Sequence, residues 1–339
     1  MAYGKLWPAH PKPFHDEILS SWIVRVADSN GVKLQRMCWG LFGNEKSPWN
    51  RDVDRSAPSW LLSAMCEHTG VKYWDAYHST LNVYRLKLFG QRRWSGHLTW
   101  ILPLNHHGMK LTGKSGVFCP KCLAGDAEPY FRRCWRVALF NFCPSHNIKM
   151  LDGCPECGEP VGYYRKDFGK ELWEAKDIAC CWSCGFDYRQ AEPQQPRFYS
   201  SEIQSVYTDA LNSLIEYRRV HEQFDGSFFG VLHHLVRAMT TNLNHGKFEA
   251  YLSDRLGVDS ANIKLGRESI EVRSLEERHH LLMLGLWLMV DLRPRLTEAW
   301  RNKAIRYNLM TKDMKPVPKW YGELVGEFSD WRLSNNCCR

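Results

Sequence analysis

Residues 119 to 184 constrain the chain more than any other stretch. Nine of its thirteen cysteines fall there, and six of them form three C-x-x-C pairs with a C-x-x-H pair placed between. Cys119, Cys122, Cys143 and His146 make two short-spaced pairs separated by 20 residues, which can converge on one ion once the intervening segment folds back. Cys154, Cys157, Cys181 and Cys184 make a second set of four. Thiolate and imidazole donors suit zinc, with Zn–S near ~2.3 Å and Zn–N near ~2.0 Å, and a filled tetrahedron leaves no position for a substrate or an activated water. The pattern predicts two structural zinc ions. Their apparent binding free energy, on the order of 10–16 kcal/mol per site, exceeds the stability of a typical domain, so the middle of the chain should not fold without metal.

Neighbouring residues support that reading. Pro120, Pro144 and Pro155 each follow the first residue of a pair, where a fixed φ helps the turn that aims two side chains at one ion. Gly158 and Gly185 directly follow two of the pairs, where positive φ is free of a Cβ clash. Cys180 competes with Cys181 for the third place of the second set, although only Cys181 keeps the two-residue gap to Cys184. Cys134 has no partner at ligand spacing and reads as a small buried hydrophobe. Disulfides would need an oxidising compartment, and the opening MAYGKLWPAHPKPFHDE has no apolar stretch after a basic start, so the expectation is a cytoplasmic protein.

With 339 residues there is room for two or three domains, and 44% hydrophobic with 24% charged residues is a globular balance. No run reaches about 18 apolar residues; the most apolar, Leu281 to Val290, is bounded by charged residues and reads as a buried helix. The formal charge of +8 is uneven. Residues 1 to 115 hold 15 Lys and Arg against 8 Asp and Glu, whereas 116 to 190 hold 10 of each and 191 to 339 hold 20 against 19. A modest basic excess suits salt-sensitive contact with phosphates, directly or through a nucleoprotein partner, and the bland alternative is a solvated surface.

Apolar periodicity predicts helices over Asp16 to Ser29, closed by Gly31, and over Lys33 to Leu41. A loop follows from Asn44 to Pro58, then a helix capped by Ser59 and running toward His68, a break at Gly70, and a further helix over Tyr73 to Leu81. That helix, glycine, helix order resembles a helix-turn-helix. Arg85, Lys87, Arg92 and Arg93 follow it, interleaved with Tyr84, Phe89 and Trp94, and basic residues mixed with aromatics are candidates for nucleic-acid or partner contact. Ala191 to Pro196 reads as a linker. Beyond it, Ser201 and Gln204 suggest a capping box on a helical stripe to Ile215. Further helices are expected over Phe228 to Met239, Lys247 to Leu256, Leu275 to Val290 (capped by Ser274), Arg295 to Tyr307 and Lys319 to Phe328. The fold expected is mainly α: a basic, helix-turn-helix-like domain over 1–115, a tandem zinc-binding (zinc-finger or zinc-ribbon) module over 116–190, and an all-helical domain over 197–339.

Several catalytic motifs fail on inspection. Gly108, Gly113, Lys114 and Ser115 spell a phosphate-loop pattern, but Gly116 and then Cys119 follow, leaving no room for the helix such a loop must open. His15 and Glu17 match half of a deaminase motif, yet no C-x-x-C pair has the required preceding proline. Acidic residues are scattered over helical patterns, unlike the carboxylates that hold two metals in a transposase. The histidine pairs at 233 and 234 and at 279 and 280 diverge by ~100° on a helix, so neither pair can face one ion. No catalysis is expected.

The segments PFHDEILSSWIVRVADSNG, FCPKCL, YFRRCWRVALFNFCPSHNIKMLDGCPECGEPV and CCWSCGFDY together resemble the TniQ family, which includes the larger TnsD proteins. The resemblance covers roughly residues 11 to 190. It implies an accessory protein that selects where a transposon inserts, connecting a target-recognising element to the transposon's AAA+ ATPase regulator, which recruits the transposase. In such proteins the recognised element is an attachment site in DNA or an RNA-guided CRISPR effector complex of the Cascade type with its guide RNA, and short members often act as homodimers. By position, the eight ligands above match the family's ligands. Trp22 and Arg25 match its N-terminal helix, and Arg132, Arg133 and Arg136 match the basic segment between its ligands and join the contact candidates. The competing reading is a sequence-specific DNA-binding regulator with structural zinc.

Overall fold

The structure, a computed structural model, describes residues 6–43, 48–50, 52–90, 97–107, 110–112, 115–219, 221–261, 263–266 and 268–328. The chain is mainly helical and divides into two compact units. The first comprises 1–85 and 91–196, and the second comprises 86–90 and 197–339.

In the first unit, α1 (Leu19–Ser29), α2 (Leu34–Phe42), α3 (Val53–Ser56), α4 (Ser59–Thr69) and α5 (Tyr73–His78) precede a short hairpin, β1 (Asn105–His107) with β2 (Lys110–Thr112). Then come α6 (Pro120–Gly125) and a second hairpin, β3 (Phe142–Cys143) with β4 (Ile148–Lys149). Helix α1 is buried from Leu19 to Ala27, and it joins the cysteine-rich stretch through polar side chains as well as apolar ones. The Ile18 amide donates to the Phe131 carbonyl at 2.9 Å, the Arg133 amide to the Asp16 carbonyl at 2.9 Å, and Ser20 Oγ lies 2.6 Å from the Tyr163 hydroxyl. Glu17 is bound by Arg25 Nε at 2.9 Å and by Ser21 Oγ at 2.8 Å.

Three expectations need correction here. The stretch read as a loop over 44 to 58 contains α3, whose N-cap Asp52 accepts from the Arg55 amide. Pro58, not Ser59, is the N-cap of α4, because a proline at the boundary already holds the extended φ a cap requires. Helix α5 stops at His78 rather than Leu81: Ser79 turns back on Ala76, and a 3-10 turn covers Leu81–Tyr84. No helix opens at Ser115, whose hydroxyl donates to the Val161 carbonyl, so the phosphate-loop pattern lacks its helix.

The second unit contains α7 (Ser201–Ile215), α8 (Gly226–Thr240), α9 (Lys247–Leu256), α10 (Leu275–Val290), α11 (Leu292–Arg301) and α12 (Lys319–Gly326). Helix α10 is its centre. Leu281, Leu282, Met283, Leu284, Leu286 and Leu288 are all buried, and Gly285 lets α8 approach closely: a Cβ there would lie 2.8 Å from Leu232 Cδ1. An apolar helix packed on several sides explains the longest apolar run, and no helix among the described residues is long and apolar enough to cross a membrane. Several boundaries move. The N-cap of α7 is Ser200, whose Oγ accepts from the Ile203 amide; α8 is longer at both ends, α11 starts three residues and ends six residues earlier than its periodicity suggested, and α12 ends two residues earlier.

Candidate metal centres

The eight sequence-predicted ligands gather into two groups, Cys119 with Cys122, Cys143 and His146, and Cys154 with Cys157, Cys181 and Cys184. Within each group the donor atoms all lie within 4.8 Å of one another. In the first, Cys122 Sγ is 3.6 Å from Cys143 Sγ, and His146 Nδ1 is 3.5, 3.3 and 3.5 Å from the sulfurs of Cys119, Cys122 and Cys143. In the second, Cys154 Sγ is 3.6 Å from Cys184 Sγ, and Cys157 Sγ is 3.7 Å from Cys181 Sγ. A tetrahedron with arms of about 2.3 Å has corners about 3.8 Å apart, slightly less where one arm ends on nitrogen. The spacings fit one zinc-sized ion in each group.

Local backbone explains why these residues converge. Three of the four ligand pairs sit on the same kind of tight turn. The Gly158 amide donates to the Cys154 carbonyl and the Gly185 amide to the Cys181 carbonyl, both at 2.9 Å. The Cys154 amide reaches the Glu159 carbonyl and the Cys181 amide the Phe186 carbonyl, both at 2.8 Å. Each glycine has positive φ, 75° and 76°. The third turn follows Cys143: the Asn147 amide donates to the Cys143 carbonyl at 2.8 Å, with φ 47°. Asparagine is among the few non-glycine residues that tolerate that region. Sequence reasoning missed Asn147, although a C-x-x-H pair followed by Asn was the available signal. The fourth pair opens a helix instead, with Cys119 as N-cap of α6, Pro120 in its first turn, and Cys119 Sγ accepting from the Cys122 amide.

The first residue of every pair is buried and none of the second residues is. One thiol in each group is held toward its thiolate form. Contacts from Cys119 and Cys122 pull the Cys143 thiol down, and although burial opposes ionisation of Cys181, the amides of Cys184 and Ser183 bring it to about 7. Cys180 stays outside the second group. Burial and the neighbouring Asp177 and Asp187 push its thiol up to about 11. Cys134 is buried as a hydrophobe, and burial raises its pKa. Phe118, beside Cys119, stacks on the buried Tyr188, centroids 4.3 Å apart.

The candidate contact residues have varied placements. Arg92 and Arg93 lie outside the described residues. Arg85 is exposed, and Lys87, in the second unit, donates to the Ser213 carbonyl at 2.8 Å. The other three arginines are engaged inside the first unit. Arg132 pairs with Asp126 at 2.6 Å and lies over the rings of Tyr130 and Trp135. Arg133, 2% exposed, donates to the carbonyls of His15 and Glu17. Arg136, 4% exposed, binds Asp52 at 2.6 Å, Asp54 at 3.0 Å and the Leu102 carbonyl. Burial and Asp52 push the Asp54 carboxyl above the usual range against the pull of Arg136, and the paired carboxylates keep Arg136 protonated. Arg133 and Arg136 therefore offer little charge to a partner; they anchor the fold. Trp22 and Arg25 have the same character, the indole donating to the Pro11 carbonyl and the guanidinium joining Glu17 to Glu128.

Residues 8–150 match the family model described as TniQ. The chain carries a TniQ domain. No curated protein matches the chain. The matched span takes in α1 to α6, the β3–β4 hairpin and the first ligand group, and it ends before Cys154, so the second group lies beyond it. A TniQ match implies a transposition-associated role.

Proposed function

We propose that the protein is a zinc-containing adaptor for transposition target-site selection, linking a target-recognising element to the transposon's AAA+ ATPase regulator and working by binding rather than bond chemistry. The observation that carries the reading is a TniQ domain that contains one group of four soft donors at tetrahedral spacing and is followed directly by a second. Cys119, Cys122, Cys143 and His146 would hold one structural ion and Cys154, Cys157, Cys181 and Cys184 the other; bound zinc would cross-link the turns that carry them. Two filled tetrahedra leave no open coordination position, which supports scaffolding over catalysis. The recognised element is DNA at an attachment site or an RNA-guided effector complex, and a homodimer is consistent with the resemblance.

A sequence-specific regulator draws less support. The second helix of its helix-turn-helix, α5, has six residues, and Asp75 is among its exposed side chains. The decisive experiment is co-purification with the neighbouring ATPase and any neighbouring CRISPR components, with metal analysis of the isolated protein. Two zinc equivalents and a stable complex with the ATPase are expected. A protein that ignores the ATPase while binding one DNA sequence selectively would overturn the adaptor reading in favour of the regulator.

A further inference from the structure

The balanced charge of residues 191 to 339 conceals a local excess. Between Arg301 and Lys319 lie six basic residues and a single acid, Asp313. That acid faces Arg237 at 3.2 Å, and Lys319 lies 3.9 Å from Glu323. The remaining five, Arg301, Lys303, Arg306, Lys312 and Lys315, have no ion-pair partner among the described residues, and all but the half-buried Arg306 are exposed. Nearby arginines differ: Arg255, Arg293 and Arg295 pair with Glu298, Glu327 and Glu202.

The backbone carrying these cations is pinned. Ala304, Ile305, Leu309 and Met310 are buried between them. Three side chains from the same unit donate to their carbonyls: Asn244 to Ala304, His234 Nε2 to Leu309 at 2.9 Å, and the Tyr321 hydroxyl to Met310 at 2.8 Å. Burial lowers the His234 pKa, which suits a neutral ring donating to a carbonyl. Helix α11 ends with the Lys303 amide on the Trp300 carbonyl and the Ala304 amide on the Ala299 carbonyl, a motif that usually places glycine where Lys303 adopts φ 57°. Cations at a helix C-terminus are ordinary because they face the negative end of its dipole. That accounts for Arg301 and Lys303 but not for Arg306, Lys312 and Lys315, which lie beyond the helix.

We propose that the surface from Arg301 to Lys315 binds the phosphate backbone of duplex DNA. Unpaired cations held on an ordered backbone suit repeated phosphates, which position a protein on a duplex without reading sequence. Single-stranded nucleic acid needs aromatic platforms, and Tyr307, the only aromatic residue in this span, is half-buried. A protein partner would need an exposed aromatic or apolar anchor, and the large apolar side chains between Arg301 and Lys315 are buried or half-buried, the exposed Val317 and Trp320 lying beyond them. The proposal concerns the second unit and goes beyond the adaptor reading.

The test uses the full chain and a duplex of arbitrary sequence, with affinity measured by fluorescence anisotropy from about 50 to 200 mM salt. Each phosphate contact contributes about −0.9 to the slope of log K on log salt. Replacing Arg301, Arg306, Lys312 and Lys315 with Gln, and Lys303 with Asn, should remove about 3–4 units of slope and weaken binding about 100-fold or more at the lower salt. Lys312→Gln with Lys315→Gln, in a turn outside the helices, should alone remove nearly 2 units. Arg255→Gln with Lys264→Gln, at already paired cations, should change nothing. Unchanged slopes in both patch variants would overturn the proposal, as would binding confined to single strands or to an acidic protein. No ATPase is present in the mixture, so failure here is distinct from failure of the adaptor reading.

Discussion

The two units solve the same problem with different chemistry. In the first, polar and ionic cross-links connect sequence-distant segments: Arg136 ties Asp52 and Asp54, Ser20 meets Tyr163, and eight donor side chains form two ligand groups. The second is organised around α10, whose residues from Leu281 to Leu286 are all buried. Short turns bury less hydrocarbon, so the first unit relies more on polar cross-links; long helices bury more, so the second relies more on packing, with a few buried pairs such as His280–Glu249. Metal removal tests this contrast most strongly. Chelation at neutral pH should unfold the cysteine-rich part of the first unit, with an apparent loss on the order of 10–16 kcal/mol per ion. Amide exchange in α8 and α10 should survive. Uniform loss of protection would show that the second unit also depends on the metal sites.

Two core substitutions sharpen the comparison. Arg136→Ala leaves the buried Asp54 and the half-buried Asp52 without their cation and should cost about 3–5 kcal/mol. Leu282→Ala in α10 removes only packing and should cost about 2–5 kcal/mol. Chemical denaturation measures both, but the diagnostic is rescue. Adding Asp54→Asn should recover part of the Arg136→Ala loss because the buried charge is gone. An Arg136→Ala loss unaffected by Asp54→Asn would mean that the guanidinium acts there mainly through packing.

The same contrast marks what was legible in the sequence. Ligand spacing survives translation into space because both members of a pair sit on one turn, so the eight residues could be named without knowing the fold. The arginines could not be placed that way. Sequence shows Arg136 as a charge beside aromatics, but its partners are 82 and 84 positions away, and charge near aromatics reads equally well as a binding surface. Helices α9 and α10 were readable end to end from periodicity. Their neighbours were less so where two residues could each cap: Ser200 and Ser201 precede the same stripe, and only the extended backbone of Ser200 decides between them. The cations from Arg301 to Lys315 were hidden because acids elsewhere in the same half cancel them in a sum.

Acid should separate the units by mechanism. In the second unit His234 is buried and neutral, with its folded pKa below the ordinary value of 6.5. The folded state then binds fewer protons than the unfolded state, so the contribution of this residue is complete above the unfolded pKa. It is lost as pH falls through that value toward the lowered one. Thermal melts followed in the second unit should show a midpoint declining on acidification below about pH 6.5, and His234→Gln should flatten that decline. An unchanged decline in the variant would place the sensitivity at another group.

The smallest effect concerns the three matching turns. If the turns at Gly158, Gly185 and Asn147 are equivalent, Asn147→Gly should be neutral or slightly stabilising, because glycine adopts φ 47° without a Cβ penalty. Asn147→Ala keeps a Cβ and loses the side chain that makes left-handed backbone tolerable, and should cost about 1–2 kcal/mol. The contrast between the two variants matters more than either value, since both remove the same amide while only one relieves the backbone. Equal losses would mean that the Asn147 side chain, rather than its φ, holds the turn, and the resemblance to the two glycine turns would then be one of shape alone.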